Sequence, residues 1–94
     1  MKIVFSSQAQ TDLARFVKFI AEDKPQAARR WAEAVRKSLL KLSDFPRIGR
    51  VVPEFGDDTI REIIKGQYRI VYKIDEGNDT IVIVTIHHSR RLLR

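Results

Sequence analysis

The chain has 94 residues, which suits one compact domain spanning residues 1–94, and its 44% hydrophobic and 32% charged content is typical of a soluble globule rather than a disordered or membrane chain. The absence of cysteine excludes disulfides and thiolate metal sites, and the first five residues turn polar too early for a signal peptide, so we expect a cytoplasmic protein. A net charge of +6 predicts either a merely solvated basic face or affinity for polyanions or an acidic protein.

A short strand and a helix are predicted at the start of the chain. Lys2 to Phe5 is the strand candidate. Ser7 is predicted to cap the helix, because Ser7 and Gln10 have the spacing of a capping box. Apolar residues then recur at helical spacing and predict one buried stripe, formed by Ala9, Leu13, Phe16, Val17 and Ile20.

A second helix is predicted from Pro25, since proline suits the first turn of a helix and disfavours helical geometry at the residue before it. Its buried face is predicted from the same spacing and contains Ala28, Trp31, Val35, Leu39 and Leu42. An aromatic side chain can stack on a nucleic-acid base, but the place of Trp31 in this stripe favours packing. The two helices are expected to form an antiparallel hairpin.

The second half of the chain predicts a sheet. Proline and glycine keep the chain irregular from Phe45 to about Thr59, and Ile60 to Lys65 is the next strand candidate. Gly66-Gln67 suits a two-residue turn into a strand that begins at Tyr68, and a polar turn at residues 75–79 leads into a last strand. That strand is apolar on both faces from Ile81 to Ile86, which indicates a central position.

These elements predict an α+β fold of order β-α-α-β-β-β, with the helical hairpin on one face of a small, mainly antiparallel sheet. No cofactor or metal is expected. His87 and His88 are adjacent, so on a strand they point to opposite faces and could not hold one ion together. The serines lack a glycine-rich elbow and no glycine loop could hold phosphate, which argues against acyl transfer and nucleotide chemistry.

One enzymatic arrangement is compatible with these residues, namely metal-independent cleavage of RNA. That reaction needs a base for the 2′-hydroxyl, an acid for the leaving oxygen, and cations for the charge that develops on phosphorus. The candidates, if they converge on one face, are Arg69, Lys65, His87, His88, Arg90 and Arg91. Alternatively Arg69 pairs with Glu62 across the hairpin, and the terminal arginines form a solvated tail.

Taken together, the pattern resembles the RelE/ParE superfamily of type II toxin–antitoxin toxins over nearly the whole chain. The matching pieces are the opening strand with Ala9 and Asp12-Leu13, Ile20 to Pro25 with Ala27-Ala28, Leu42, Phe45-Pro46, Gly49-Arg50, Pro53-Glu54, Arg61-Glu62, Tyr68 to Tyr72, and His87 leading to Arg90 to Leu93. The resemblance implies a growth-inhibiting toxin that forms a hetero-oligomer with a cognate antitoxin, whose flexible segment covers the working surface. No membrane is implied.

The superfamily divides by activity. RelE-like members cleave mRNA in the ribosomal A site with an arginine at the position of Arg69, further basic residues and a C-terminal tyrosine or histidine. This chain has no tyrosine after Tyr72, so only His87 or His88 could replace that group. ParE-like members lack the ribonuclease set and poison DNA gyrase, and segments 53–54, 61–64 and 87–93 look more like ParE.

The resemblance therefore favours a ParE-like toxin that acts by protein contact on gyrase. Its predicted target or antitoxin contacts lie on the helical hairpin, the loop, the sheet and the basic C-terminal tail: Arg29, Arg36, Arg47, Arg50, Arg61, Arg69, Arg90 and Arg91. The alternatives are a ribosome-dependent mRNA endoribonuclease, and a relative that has lost toxicity and only binds an antitoxin.

Overall fold

A computed structural model describes residues 1–88 and shows two helices packed on a five-stranded sheet. The elements are β1 (Lys2–Phe5), α1 (Ser7–Asp23), α2 (Pro25–Asp44), β2 (Arg50–Val51), β3 (Ile60–Lys65), β4 (Tyr68–Asp75) and β5 (Thr80–His88). The strand order is β1-β5-β4-β3-β2, with β1 parallel to β5 and every other pair antiparallel. This confirms the predicted fold and the central position of the last strand. Neither helix in residues 1–88 is long and apolar enough to cross a membrane.

The start of α1 lies one residue away from the predicted cap. Ser6, not Ser7, is the N-cap: its side chain accepts a hydrogen bond from the Ala9 N–H at 3.0 Å. Ser6 has extended backbone angles because its own N–H still donates to Ile83 of β5 at 2.9 Å, continuing the pairing of β1. The Gln10 side chain reaches back to the Phe5 carbonyl at 3.3 Å. The prediction of Ser7 as the capping residue is therefore wrong by one position, because the cap is the residue before it.

The core lies between the helices and β3, β4 and β5. The stripe predicted for α2 faces it, and so do Ala9, Leu13 and Phe16 of the stripe predicted for α1, whereas Val17 and Ile20 of that stripe stay partly exposed. The fully buried centre of the core includes Ala9, Leu42, Ile70, Tyr72, Ile81 and Ile83. Trp31 is half-buried and packs on Tyr68, with ring centroids 4.8 Å apart, which confirms its packing role. Among the described residues its indole N–H has no hydrogen-bond partner.

A two-residue strand, β2, forms within the stretch that we predicted to be irregular. Two side chains of the sheet hold the chain there. The buried Tyr72 hydroxyl donates to the Pro46 carbonyl at 2.7 Å and accepts from the Gly49 N–H at 2.9 Å, and Arg61 donates to the Gly49 carbonyl at 2.9 Å. β2 therefore depends on tertiary contacts that local sequence cannot reveal. Gly66 has a φ of 60°, as the predicted turn requires.

Candidate interaction surface

A buried carboxylate lies on the sheet face that the helices do not cover, one strand in from the edge. Glu62 on β3 is only 3% exposed, and its Oε2 is 2.5 Å from Nε of Arg50 on β2. Nη1 of Arg69 on β4 lies 3.7 Å from its Oε1. Arg69 thus pairs with Glu62, as one of the two sequence interpretations expects, and the two arginines together balance a charge that burial alone would make costly.

His87 is brought beside this pair by the register of the hairpin. It lies opposite Arg69 in the β4–β5 pairing, past a bulge that leaves Val84 without an opposing residue on β4. Burial is the main reason that the pKa of His87 is lowered from 6.5; the charge of Asp12 partly opposes this, and the charge of Arg69 adds to it. Near neutral pH the imidazole is therefore neutral.

Two other candidate groups for RNA cleavage, Lys65 and His88, lie on the opposite face of the sheet. Lys65 and His88 both pair with Tyr68, whose side chain faces the helices, and the His88 and Tyr68 rings stack edge to face at 5.0 Å. The structure brings Arg69 and His87 together and separates them from Lys65 and His88, while Arg90 and Arg91 lie outside the described residues. Within residues 1–88, no group of three or more carboxylates and histidines could hold a metal ion.

Two of the arginines predicted to contact a partner hold the loop between α2 and β3. Arg61 donates to the backbone carbonyls of Arg47 at 3.3 Å, Gly49 at 2.9 Å and Asp58 at 2.9 Å. The guanidinium of Arg47 lies 3.9 Å from Asp58 and 3.7 Å from Glu76. Arg61 is therefore occupied by the fold itself, whereas Arg47 stays half-exposed in a loose ion-pair network.

The remaining predicted contacts are exposed on α2 or lie beyond the described chain. Arg36 forms an ion pair with Glu33, one turn earlier on the same helix, and Arg29 is exposed near the start of α2. Arg90 and Arg91 lie outside the described residues. The eight predicted contacts are thus distributed over the helical hairpin, the loop, the open sheet face and the C-terminal segment, and a single contact surface stays a prediction.

Sequence reasoning missed the role of Asp12 on α1, which accepts more hydrogen bonds than any other carboxylate in the described part of the chain. It is 5% exposed and accepts from the Thr85 hydroxyl at 2.7 Å, the Ile86 N–H at 3.0 Å and the Gln8 amide at 2.7 Å. Burial raises its pKa, but these hydrogen bonds outweigh burial and the net pKa is lowered. The available signal was an acidic residue inside the apolar stripe of a helix.

Comparison with known proteins decides the family. The sequence model described as "ParE toxin of type II toxin-antitoxin system, parDE" matches residues 3–93. The chain belongs to this ParE toxin family. A comparison with curated proteins finds no match.

Solved structures of related toxins share the fold of this ParE-family chain. A chromosomal ParDE system from P. aeruginosa has a TM-score of 0.74 at 14% identity, covering 94% of this chain and 95% of that one. The RelBE2 toxin–antitoxin complex from Mycobacterium tuberculosis has a TM-score of 0.65 at 25% identity, covering 93% of this chain and 95% of that one. The isolated E. coli RelE toxin has a TM-score of 0.69 at 17% identity, covering 96% of this chain and 85% of that one. The chain is thus a type II toxin of the ParE/RelE superfamily, and its target must be argued from side chains.

Proposed function

We propose that this ParE-family toxin inhibits growth by poisoning DNA gyrase through protein contact, and that a cognate antitoxin neutralises it in a hetero-oligomer. In this proposal residues 1–94 form one toxin domain that acts in the cytoplasm without a cofactor. The P. aeruginosa ParDE and E. coli RelBE structures are toxin–antitoxin systems, which supports an antitoxin partner here as well.

One observation supports the choice of gyrase over the ribosome: Arg69 is paired with buried Glu62, while the described candidate groups His87, Lys65 and His88 are divided between the two faces of the sheet. Cleavage of RNA without metal needs an acid, a base and a cation around one phosphate. Glu62 opposes the charge that Arg69 would offer to that phosphate, and Lys65 and His88 lie across the sheet from Arg69. The arrangement therefore suits binding better than phosphoryl chemistry.

The exposed cations supply a surface for such contact. Arg29 and Arg36 lie on the outer side of the helical hairpin, and the net charge of +6 favours an acidic protein partner. Arg90 and Arg91 add to this charge in the C-terminal segment. We propose this hairpin and segment as the gyrase contact.

The test is inducible expression of the chain without an antitoxin, followed by two assays in parallel. We expect the DNA-damage response, filamentation and DNA breaks that depend on gyrase, with ribosome-bound mRNA intact. Arg69→Ala should keep this toxicity, because Arg69 is not part of the proposed contact on the hairpin.

One observation favours a ribonuclease instead: Arg69 and His87 lie opposite each other on the adjacent strands β4 and β5. That alternative is correct if expression yields mRNA cut at A-site codons and Arg69→Ala abolishes the cutting. Normal growth with neither kind of damage would support a chain that only binds an antitoxin.

A further inference from the structure

The loop that follows β2 presents an exposed aromatic side chain among carboxylates. Phe55 is 58% exposed, and Glu54 and Asp58 are exposed in the same loop. A single helical turn holds the loop in place, because the Phe55 N–H donates to the Val52 carbonyl at 3.2 Å. We call residues 53–59 the acidic loop. Since its backbone is already fixed by internal hydrogen bonds, binding through Phe55 would cost little conformational entropy.

A groove of opposite charge lies along the same sheet edge, between α2 and β3. Its volume is about 620 Å³, and its lining includes Ile48, Lys41 and Lys65. Ile48 is 51% exposed, and both lysines are exposed and form no ion pair with another described residue. Lys37 also lines the groove, but the charge of Glu33 already lies near it. We call this pocket the basic groove, and its uncompensated charge comes from Lys41 and Lys65.

The acidic loop and the basic groove lie on opposite sides of one point on this edge. Val51 of β2 pairs with Arg61 of β3, and the two strands are antiparallel. Phe55 follows Val51 by four residues and Lys65 follows Arg61 by four residues, so the two lie in opposite directions along the edge. Extended and helical rises put each of them about 10–13 Å from the Val51–Arg61 pair. A twofold axis through this pair, perpendicular to the sheet, therefore brings the acidic loop of each copy to the basic groove of the other.

We propose that two copies of this chain associate through this edge as a twofold dimer, in which Phe55 of each copy enters the basic groove of the other. Phe55 covers the exposed Ile48 of the partner copy, and the carboxylates of the acidic loop face Lys41 and Lys65. An unrelated partner would need only one of the two surfaces, whereas the dimer uses both at matching distances. The net charge of +6 opposes the association of two copies, so we expect a weak, reversible dimer. The inference does not depend on gyrase being the target.

The experiment is analytical ultracentrifugation of the purified full-length chain at rising concentration. We expect a reversible equilibrium between monomer and dimer, with no larger species. Phe55→Ser should weaken the dimer at least tenfold, because it removes the aromatic side chain that enters the groove. Phe19→Ser is the matched control, since Phe19 is 52% exposed on α1, away from this edge, and its loss should weaken the dimer less than threefold.

Charge reversal tests the twofold arrangement itself. Glu54→Lys with Asp58→Lys reverses the charge of the acidic loop, and Lys41→Glu with Lys65→Glu reverses that of the basic groove. Each variant alone should dimerise at least tenfold more weakly than the native chain, because like charges then meet at both contacts. An equimolar mixture of the two variants should form dimers again. In the mixed pair each reversed loop meets a reversed groove, and each native loop meets a native groove.

Net charge needs its own control, since the groove variant also lowers the charge of the whole chain. Lys18→Glu with Arg30→Glu makes the same charge change at exposed positions outside the groove. Its dimer should be at least as strong as that of the native chain, because a lower net charge reduces the general repulsion between two copies. Circular dichroism checks that every variant is folded.

Four results would overturn the proposal. The native chain stays monomeric at every concentration, which would leave both surfaces to partners of other sequence. Phe55→Ser leaves the dimer intact while Phe19→Ser dissociates it, which would move the interface to α1. The mixture of the two charge-reversed variants stays monomeric, or it forms chains longer than a dimer, which would make the contact heterologous instead of twofold.

Discussion

The carboxylate of Asp12 on α1 accepts a hydrogen bond from the backbone N–H of Ile86 on β5 at 3.0 Å, across 74 residues of sequence. β5 is longer than its neighbour β1, whose pairing ends at Phe5 opposite Ile83. Beyond that point the Ser6 hydroxyl donates to the Val84 carbonyl at 2.7 Å, and Asp12 accepts from the next free N–H. Side chains of α1 and its cap thus continue the ladder where β1 stops, and they attach the helix to the sheet edge.

Asp12→Ala should lower the free energy of unfolding by about 2 kcal/mol, because it leaves the buried N–H of Ile86 without an acceptor. Asp12→Asn keeps one acceptor oxygen and should cost about half as much. Urea unfolding with an unchanged m-value measures both. Equal losses in the two variants would show that the hydrogen bond to Ile86 is not the source of the effect.

The lowered pKa of Asp12 makes the free energy of unfolding depend on pH in the acid range. Because the folded pKa lies below the ordinary value of 3.8, the unfolded chain binds the proton more readily, and the contribution of Asp12 is lost as pH falls below that value. The stability difference between the native chain and Asp12→Asn should therefore shrink between pH 5 and pH 2. A constant difference would mean that the carboxylate does not titrate in this range.

The elements that sequence predicted well are those defined by local periodicity. The helical stripes around Leu13 and Leu42 and the alternation of β4 repeat within a few residues, so spacing alone identified them and the layers that they form. The side-chain network was only partly predictable. The ion pair of Arg69 with Glu62 was anticipated because both lie on adjacent strands of one hairpin.

The contacts that sequence did not predict join distant parts of the chain. Asp12 depends on β5, and β2 depends on the Tyr72 hydroxyl, which lies 26 residues from Pro46. Ser6 became the cap because β5 holds its backbone extended. In each case a tertiary contact overrode a local preference, and no local pattern carries that information.

Gly49→Ala should be strongly destabilising although the backbone of Gly49 is ordinary. Its φ is −75°, but an added Cβ would lie 2.6 Å from the Tyr72 hydroxyl and 2.7 Å from the Glu62 carbonyl oxygen. The loop must move away from the sheet, and we expect a loss of about 2–3 kcal/mol in the free energy of unfolding. Gly77→Ala is the control, since its nearest atom would be 3.7 Å away. Thermal unfolding measures both variants. If Gly77→Ala lost as much stability as Gly49→Ala, the close approach of the sheet to Gly49 would not be the cause.

His87 should make the protein less stable in mild acid. Its folded pKa is below 6.5, so under pH 6.5 the unfolded chain takes up a proton that the folded chain does not, and stability falls as pH decreases until the folded pKa is reached. The slope from this group is at most about 1.4 kcal/mol per pH unit. His87→Gln should flatten the curve of stability between pH 7 and pH 5 in denaturant titrations. An unchanged slope would assign the acid sensitivity to other groups.

Glu62→Gln tests whether the buried carboxylate masks the arginines of the open sheet face. The change keeps the shape of the side chain and removes its charge, so Arg50 and Arg69 lose their anionic partner. Because their side chains are 60% and 35% exposed, water can solvate both, and the loss in stability should be only about 1 kcal/mol. Affinity for polyanions should rise, which is measured as elution from heparin at a higher salt concentration.

Glu33→Gln provides the matched control for this variant. It makes the same charge change at an exposed ion pair with Arg36, far from the open sheet face. A change in net charge alone would shift heparin elution equally in the two variants, and the masking role of Glu62 would then be wrong. A larger shift for Glu62→Gln, reversed by adding Arg69→Ala, would place the new anion affinity at Arg69. That result would also explain physically why the native arrangement disfavours phosphate at this arginine.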